Sequence, residues 1–157
     1  MTNLTHMDEN GKATMVSISE KLPTQRFALA RSVVQFPEEV INKLKEQGMR
    51  TQKGSIFQVA TIAGIMAAKQ TASLIPLCHP LGMDKCDIDI SVVENEVIII
   101  CSANIFAKTG VEMEALVGAT VASLTVYDMC KSLSHDIVIK ETRLLQKTGG
   151  KNDYNSK

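Results

Sequence analysis

Tryptophan is absent from this 157-residue chain, and aromatic residues make up only 4% of it. That leaves too few rings for the stacking platforms of single-strand nucleic-acid binders. Net charge is missing as well, because 17 basic side chains balance 17 acidic ones. A dedicated nucleic-acid binder carries a basic excess, so the balance argues against that class while leaving room for a local basic pocket. No apolar run approaches the roughly 20 residues of a membrane-spanning helix. The start, Met1-Thr2-Asn3-Leu4-Thr5-His6, lacks the apolar core of a secretory signal. The four cysteines, Cys78, Cys86, Cys101 and Cys130, nowhere show the C-x-x-C spacing of zinc or redox motifs. A cytoplasmic protein with reduced thiols is expected, with neither nucleic acid nor membrane as partner. No G-x-G-x-x-G occurs, and Gly149-Gly150-Lys151 lacks the first glycine of a phosphate-binding loop.

What is present is ordinary globular material, 45% hydrophobic and 22% charged, in a length that suits one domain with a real core. The domain is taken as residues 1–157, with flexible ends at about 1–14 and about 148–157 where patterning is weak. Met15–Ile18 has the makings of a short strand. Arg26–Phe36 is rich in β-branched and small apolar residues and predicts a strand. Pro37-Glu38-Glu39 opens a helix that Gly48 closes. Ser55 is a candidate N-cap for a second helix ending near Thr71. In that helix Ile56, Val59, Ala63 and Met66 form an apolar face, widened by Ile62 and Ile65, and Gly64 with neighbouring alanines permits close packing. Leu74-Ile75-Pro76-Leu77-Cys78-His79-Pro80-Leu81 is a rigid loop, since two prolines remove two donors. Lys85–Val93 alternates strictly, and Val97–Phe106 follows after a Glu94-Asn95 turn, so the pair predicts an antiparallel hairpin. A last strand spans 136–146, with Ile137, Ile139 and Leu145 inward. The order β, α, α, β, β, α, β gives an α+β fold: a ferredoxin-like antiparallel sheet with helices packed on one face.

Between that hairpin and the last strand lies the longest helix, from Gly110 to Lys131. Glu114, Val117, Val121, Leu124, Asp128 and Lys131 fall at spacings of three and four, hence on one stripe. The stripe is apolar in the middle, as a buried one is, but charged at both ends. Asp128 and Lys131 are within reach of each other on the helix. A solvated ion pair accounts for them. So does a partly buried acid–ammonium pair with the shifted pKa values that proton transfer uses. Glu112 and Glu114 suit the positive helix start, and with Lys108, Thr109 and Gly110 upstream the same turn is an anion site. His79 is open to a structural, an acid/base or a metal-binding role. Lys53, ahead of a helix start, is either a phosphate ligand or solvated. The 14 steps from Glu114 to Asp128 span about 21 Å at the helical rise, too far for one small substrate to touch both. Either one end is functional, or two copies packed antiparallel bring opposite ends together.

Three stretches carry a resemblance: Leu74–Leu81, Lys108-Thr109-Gly110-Val111-Glu112-Met113-Glu114-Ala115-Leu116, and Leu124-Thr125-Val126-Tyr127-Asp128-Met129-Cys130-Lys131. With Leu4-Thr5-His6, Ile62–Lys69 and Thr148-Gly149-Gly150-Lys151, they resemble the cyclic pyranopterin monophosphate synthase family of molybdenum cofactor biosynthesis over nearly the whole chain. The resemblance implies conversion of a cyclised GTP-derived substrate, 3′,8-cyclo-7,8-dihydroguanosine triphosphate, to cyclic pyranopterin monophosphate with release of diphosphate. It implies no organic cofactor and no metal. It implies a homohexamer, a trimer of dimers, with the site at a subunit interface. Asp128, Lys131 and Lys53 fall on the family's catalytic positions. Leu77, Cys78, His79, Glu112, Met113, Glu114 and Arg26 fall on its substrate-binding positions. The chain departs from the family pattern at Ser17, where aspartate is usual, at Ser55 in place of aspartate, and at Asn152 in place of serine. Outside the resemblance, two alternatives are a non-catalytic nucleotide-binding module, which would tolerate neutral replacements at Asp128 and Lys131, and a metal-dependent hydrolase centred on His79, which chelators would silence.

Overall fold

The computed structural model describes Met7 and residues 10–156; Leu4, Thr5 and His6 lie outside them. Its elements are β1 (Thr24–Gln35), α1 (Glu38–Glu46), β2 (Arg50–Thr51), β3 (Gly54–Ser55), α2 (Ile56–Lys69), α3 (Thr71–Leu74), β4 (Lys85–Val93), β5 (Glu96–Ala107), α4 (Glu112–Cys130), β6 (Val138–Thr148) and β7 (Tyr154–Asn155). One sheet has the order β4-β5-β1-β6-β7, antiparallel throughout. Without the two-residue β7, its four long strands stand in the 2-3-1-4 order of a ferredoxin-like α+β fold. β2 and β3 make a separate small ribbon.

β1 is the central strand, and its alternation sets the layers. Ala28, Ala30, Ser32 and Val34 are buried, and Ser32 donates to Ser123 of α4 at 3.0 Å. α4 packs across β1, β5 and β6, while α2 lies beside it over β4. Val40, Ile41 and Leu44 of α1 enter the same core. Ser55 caps α2, its hydroxyl accepting from the Gln58 N–H.

α2 and α4 meet through small residues. A Cβ on Gly64 would lie 2.8 Å from the Gly118 carbonyl oxygen, and one on Gly118 would lie 2.6 Å from Cys101 Sγ. This contact shifts the apolar face expected for α2, of which Ile56 is buried as expected. Ile56, Ala60, Gly64, Ala67 and Ala68 are buried, while Val59, Ile62 and Met66 are exposed. Close helix approach selects the smallest side chains, so the larger ones turn outward.

Two further expectations are corrected. Met15–Ile18 forms no strand, because these residues have no ladder partner. Instead the Val16 carbonyl accepts from His79 Nε2 at 2.8 Å. In β6, Leu144 rather than Leu145 joins Ile139 against the core. The register skips Lys140 between the pairs Val34–Ile139 and Val33–Glu141, a bulge that flips the alternation and turns Leu144 inward. Beyond β6, Gly149 takes a positive φ and Tyr154–Asn155 pair back onto Gln146–Lys147. Among the described residues, no helix is long and apolar enough to cross a membrane.

Candidate functional site

The long helix presents different chemistry at its two ends. At its C-terminal end, Asp128 accepts from Lys131 Nζ at 2.8 Å and from Lys53 Nζ at 3.1 Å. Lys53 also donates to the Asp128 carbonyl at 3.3 Å. The first contact is the i, i+3 pairing of one helix; the second comes from the turn joining β2 to β3. These donors, Lys131 before Lys53, hold the Asp128 carboxyl below its ordinary range, and the carboxylate in turn raises the Lys131 ammonium. A cavity of about 360 Å³ adjoins the triplet, lined by Lys43, Thr51, Lys53, Met129 and Ser132 among others.

Of the two readings open for this pair, the structure shows the solvated one. Asp128 is 54% exposed and Leu124 is 51% exposed, whereas Val117 and Glu114 are buried. The helical stripe therefore starts in the core and rises to the surface over its last two turns. Its outermost members join the exposed apolar side chains Val59, Ile62 and Met66 in facing away from the core.

At the N-terminal end of α4 the reverse holds: Glu114 is 4% exposed. Burial raises its pKa first, and the neighbouring Glu112 charge adds to the rise, against its own backbone N–H, which lowers it. The rigid double-proline loop lies opposite. Leu77, Cys78, His79, Thr109, Gly110, Glu112, Met113 and Glu114 line one cavity of about 260 Å³. Burial and the Glu114 charge push the Cys78 thiol up, so it is no thiolate nucleophile near neutral pH. His79 is held by the Val16 carbonyl. Among the described residues, no group of three or more His, Cys, Asp or Glu side chains is placed to hold a metal ion.

Arg26 sits on the other side of Glu112, in an adjoining cleft of about 440 Å³. The two hollows share Thr109, Gly110 and Glu112. Arg26 donates from Nε to the Ala107 carbonyl at 3.3 Å, which orients the guanidinium along the cleft wall. Lys147 Nζ lies 3.0 Å from Glu112 Oε1 and neutralises it. A Cβ on Gly110 would meet the Glu112 carboxyl, so any larger residue there would push that side chain aside. Lys21, Lys108 and Lys151 complete a strongly basic lining.

The structure thus gathers Arg26, Leu77, Cys78, His79, Glu112, Met113 and Glu114 at one end of α4, and Lys53, Asp128 and Lys131 at the other. It does not unite the two groups within one chain. Lys21 and Lys147 are cleft residues that sequence reasoning missed. Neither stands in a motif of its own, and the cleft forms only when the segment around Lys21 and Arg26 meets the end of β6 and the start of α4. Alternation from Ile137 and Ile139 was the available signal for Lys147, since the two bulges of β6 cancel, but the expected strand stopped at residue 146.

Comparison with known proteins places the chain among relatives of one kind. The MoaC family model matches residues 15–150. A protein of Xanthomonas campestris pv. campestris (strain 8004) named cyclic pyranopterin monophosphate synthase is 52% identical over 151 residues, covering 96% of this chain and 92% of that protein. One of the same name from Bacillus subtilis (strain 168) is 50% identical over 156 residues, covering 97% and 91%. A molybdenum cofactor biosynthesis bifunctional protein of Synechocystis sp. is 49% identical over 154 residues, covering 95% of this chain and 44% of its own length.

Proposed function

The chain belongs to the MoaC family, and from that premise we infer that it catalyses the reaction for which its curated relatives are named. The reaction converts (8S)-3′,8-cyclo-7,8-dihydroguanosine 5′-triphosphate to cyclic pyranopterin monophosphate and diphosphate. The observation that carries this reading is the Asp128 carboxylate bracketed by two ammonium groups, at 2.8 and 3.1 Å. It stands in a chain about half identical to such synthases along nearly all its length.

The chemistry needs proton transfers and charge neutralisation, and the residues supply both. Opening the imidazole portion of the purine and rebuilding a pterin moves several protons. Asp128 with Lys131 and Lys53 offers one base and two acids in direct contact. Closing the cyclic phosphate requires a sugar hydroxyl to attack the α-phosphorus and expel diphosphate. Arg26 and the lysines around it stabilise the charge on the departing diphosphate. His79 contributes to the same neutralisation. Glu112 and Glu114 are acceptors suited to the N–H donors of the guanine-derived ring, with Leu77, Cys78 and Met113 as walls.

A working site is assembled from two copies of the chain. Support comes from the exposed triplet, the buried Glu114 about 21 Å away along the helix, and the exposed apolar residues Val59, Ile62, Met66 and Leu124. A two-fold partner lying antiparallel along α4 brings the triplet of one copy to the Glu114 end of the other. The homohexamer implied by the resemblance, a trimer of such dimers, is the corresponding whole. The direct experiment incubates purified protein with the cyclised triphosphate and follows diphosphate release together with pterin fluorescence after oxidation. Both products are expected; diphosphate without pterin, or neither, contradicts the assignment.

A further inference from the structure

Residues 145–156 form a tied hairpin. Gly149 N–H donates to Asp153 Oδ1 at 3.0 Å, closing a short turn. Thr24 Oγ1 donates to the Gly149 carbonyl at 2.7 Å, and Ser156 N–H donates to the Leu145 carbonyl at 2.7 Å. Tyr154 pairs with Lys147 and Asn155 with Gln146. The turn also needs glycine. Gly149 has φ +84°, and a Cβ there would collide with the Gln25 carbonyl. A Cβ on Gly150 would lie 3.0 Å from an Arg26 guanidinium nitrogen. The hairpin therefore forms one wall of the basic cleft and runs close against Arg26.

The cleft faces this wall with like charge. Lys21, Arg26, Lys108, Lys147 and Lys151 line it, with Glu112 as its one carboxylate, already paired with Lys147. Five cations in a hollow of about 440 Å³ fit a polyanion of phosphate type. One of the five, Lys151, stands in the turn itself and keeps its place only while the turn is closed, whereas Lys147 is fixed by its ladder pairing with Ala28 and its ion pair with Glu112. The group that closes the turn is Asp153, which lies outside the cleft lining.

We propose that Asp153 is a positioning residue for the polyphosphate end of the substrate: by accepting the Gly149 N–H it holds Gly150 and Lys151 in the wall of the cleft beside Arg26. This rests on the reading of the cleft as the diphosphate-leaving end of the active site. The role belongs to an acceptor oxygen and not to a negative charge, which would repel the ligand.

The test uses the full chain, with inorganic diphosphate as probe in titration calorimetry and steady-state kinetics in parallel. D153A removes the acceptor, and D153N keeps an acceptor oxygen while removing the charge. D153A is expected to weaken diphosphate binding about tenfold and to raise KM by a similar factor, the scale of one lost hydrogen bond in a charged site, with kcat within about twofold. D153N is expected to restore both quantities. A merely structural role would lower thermal stability without splitting KM from kcat. If R26A loses diphosphate while D153A binds it as the wild type does, or if D153N is as weak as D153A, the role given to Asp153 is wrong. If R26A also binds diphosphate as the wild type does, the cleft is not the polyphosphate site, and both the proposal and the reading beneath it fall.

Discussion

Asp128 and Glu114 are two carboxylates on one helix whose pKa values are pushed in opposite directions. Asp128 is open to solvent and kept ionised by two ammonium neighbours. Replacing it with alanine removes the proton carrier, and a fall of about 10²–10⁴-fold in the single-turnover rate of diphosphate release is expected, with unchanged circular dichroism. Glu114 is buried, and its folded pKa is raised above the ordinary 4.5. For a raised carboxyl the folded state binds the extra proton. Stability is therefore fullest below 4.5 and falls as pH rises towards the folded value. The Glu114→Gln variant should lose that slope and be at least as stable as the wild type at pH 7, while binding substrate less well. Melting temperatures measured from pH 4 to 8 check this; a parallel dependence in both proteins contradicts it. The Asp128–Lys131 pair was legible from helical spacing alone. The partner Lys53 was not, because it arrives from a turn 75 residues away.

At the scale of elements, the crossing of α2 on α4 sets where both half-sites stand. Gly64 and Gly118 allow the helices to touch. A Gly118→Ala methyl has to displace Cys101 Sγ at 2.6 Å from below, and a loss of about 1–3 kcal/mol is expected in urea unfolding. An unchanged midpoint would show that the crossing has slack. All seven principal elements could be read from periodicity, caps and prolines, because each has a strong local cause. The faces were harder. Periodicity marks Val59, Ile62 and Met66 as one apolar side of α2 but does not say that glycine and alanine claim the core instead. Likewise, the strand 136–146 was evident but its inward residue near the end was not, because a bulge depends on the partner strand.

At the scale of the whole molecule, exposed Ile62, Met66 and Leu124 beside an exposed ionic triplet make a surface suited to a second copy. An Ile62→Asp variant is expected to shift the protein to smaller species in sedimentation velocity and to lose activity with them. The 21 Å argument was available from sequence because the rise of a helix is fixed; which surface closes the gap emerged only once burial was known. The central claim is that each site joins the Asp128 end of one copy to the His79–Glu114 end of another. Mixing inactive D128A with inactive H79A after reversible dissociation tests it. If sites are shared, random reassortment leaves about a quarter of them with both halves intact, and activity should return towards about 25% of the wild-type value. If the mixture stays as inactive as its components although the subunits have exchanged, each chain carries its whole site and the account is wrong.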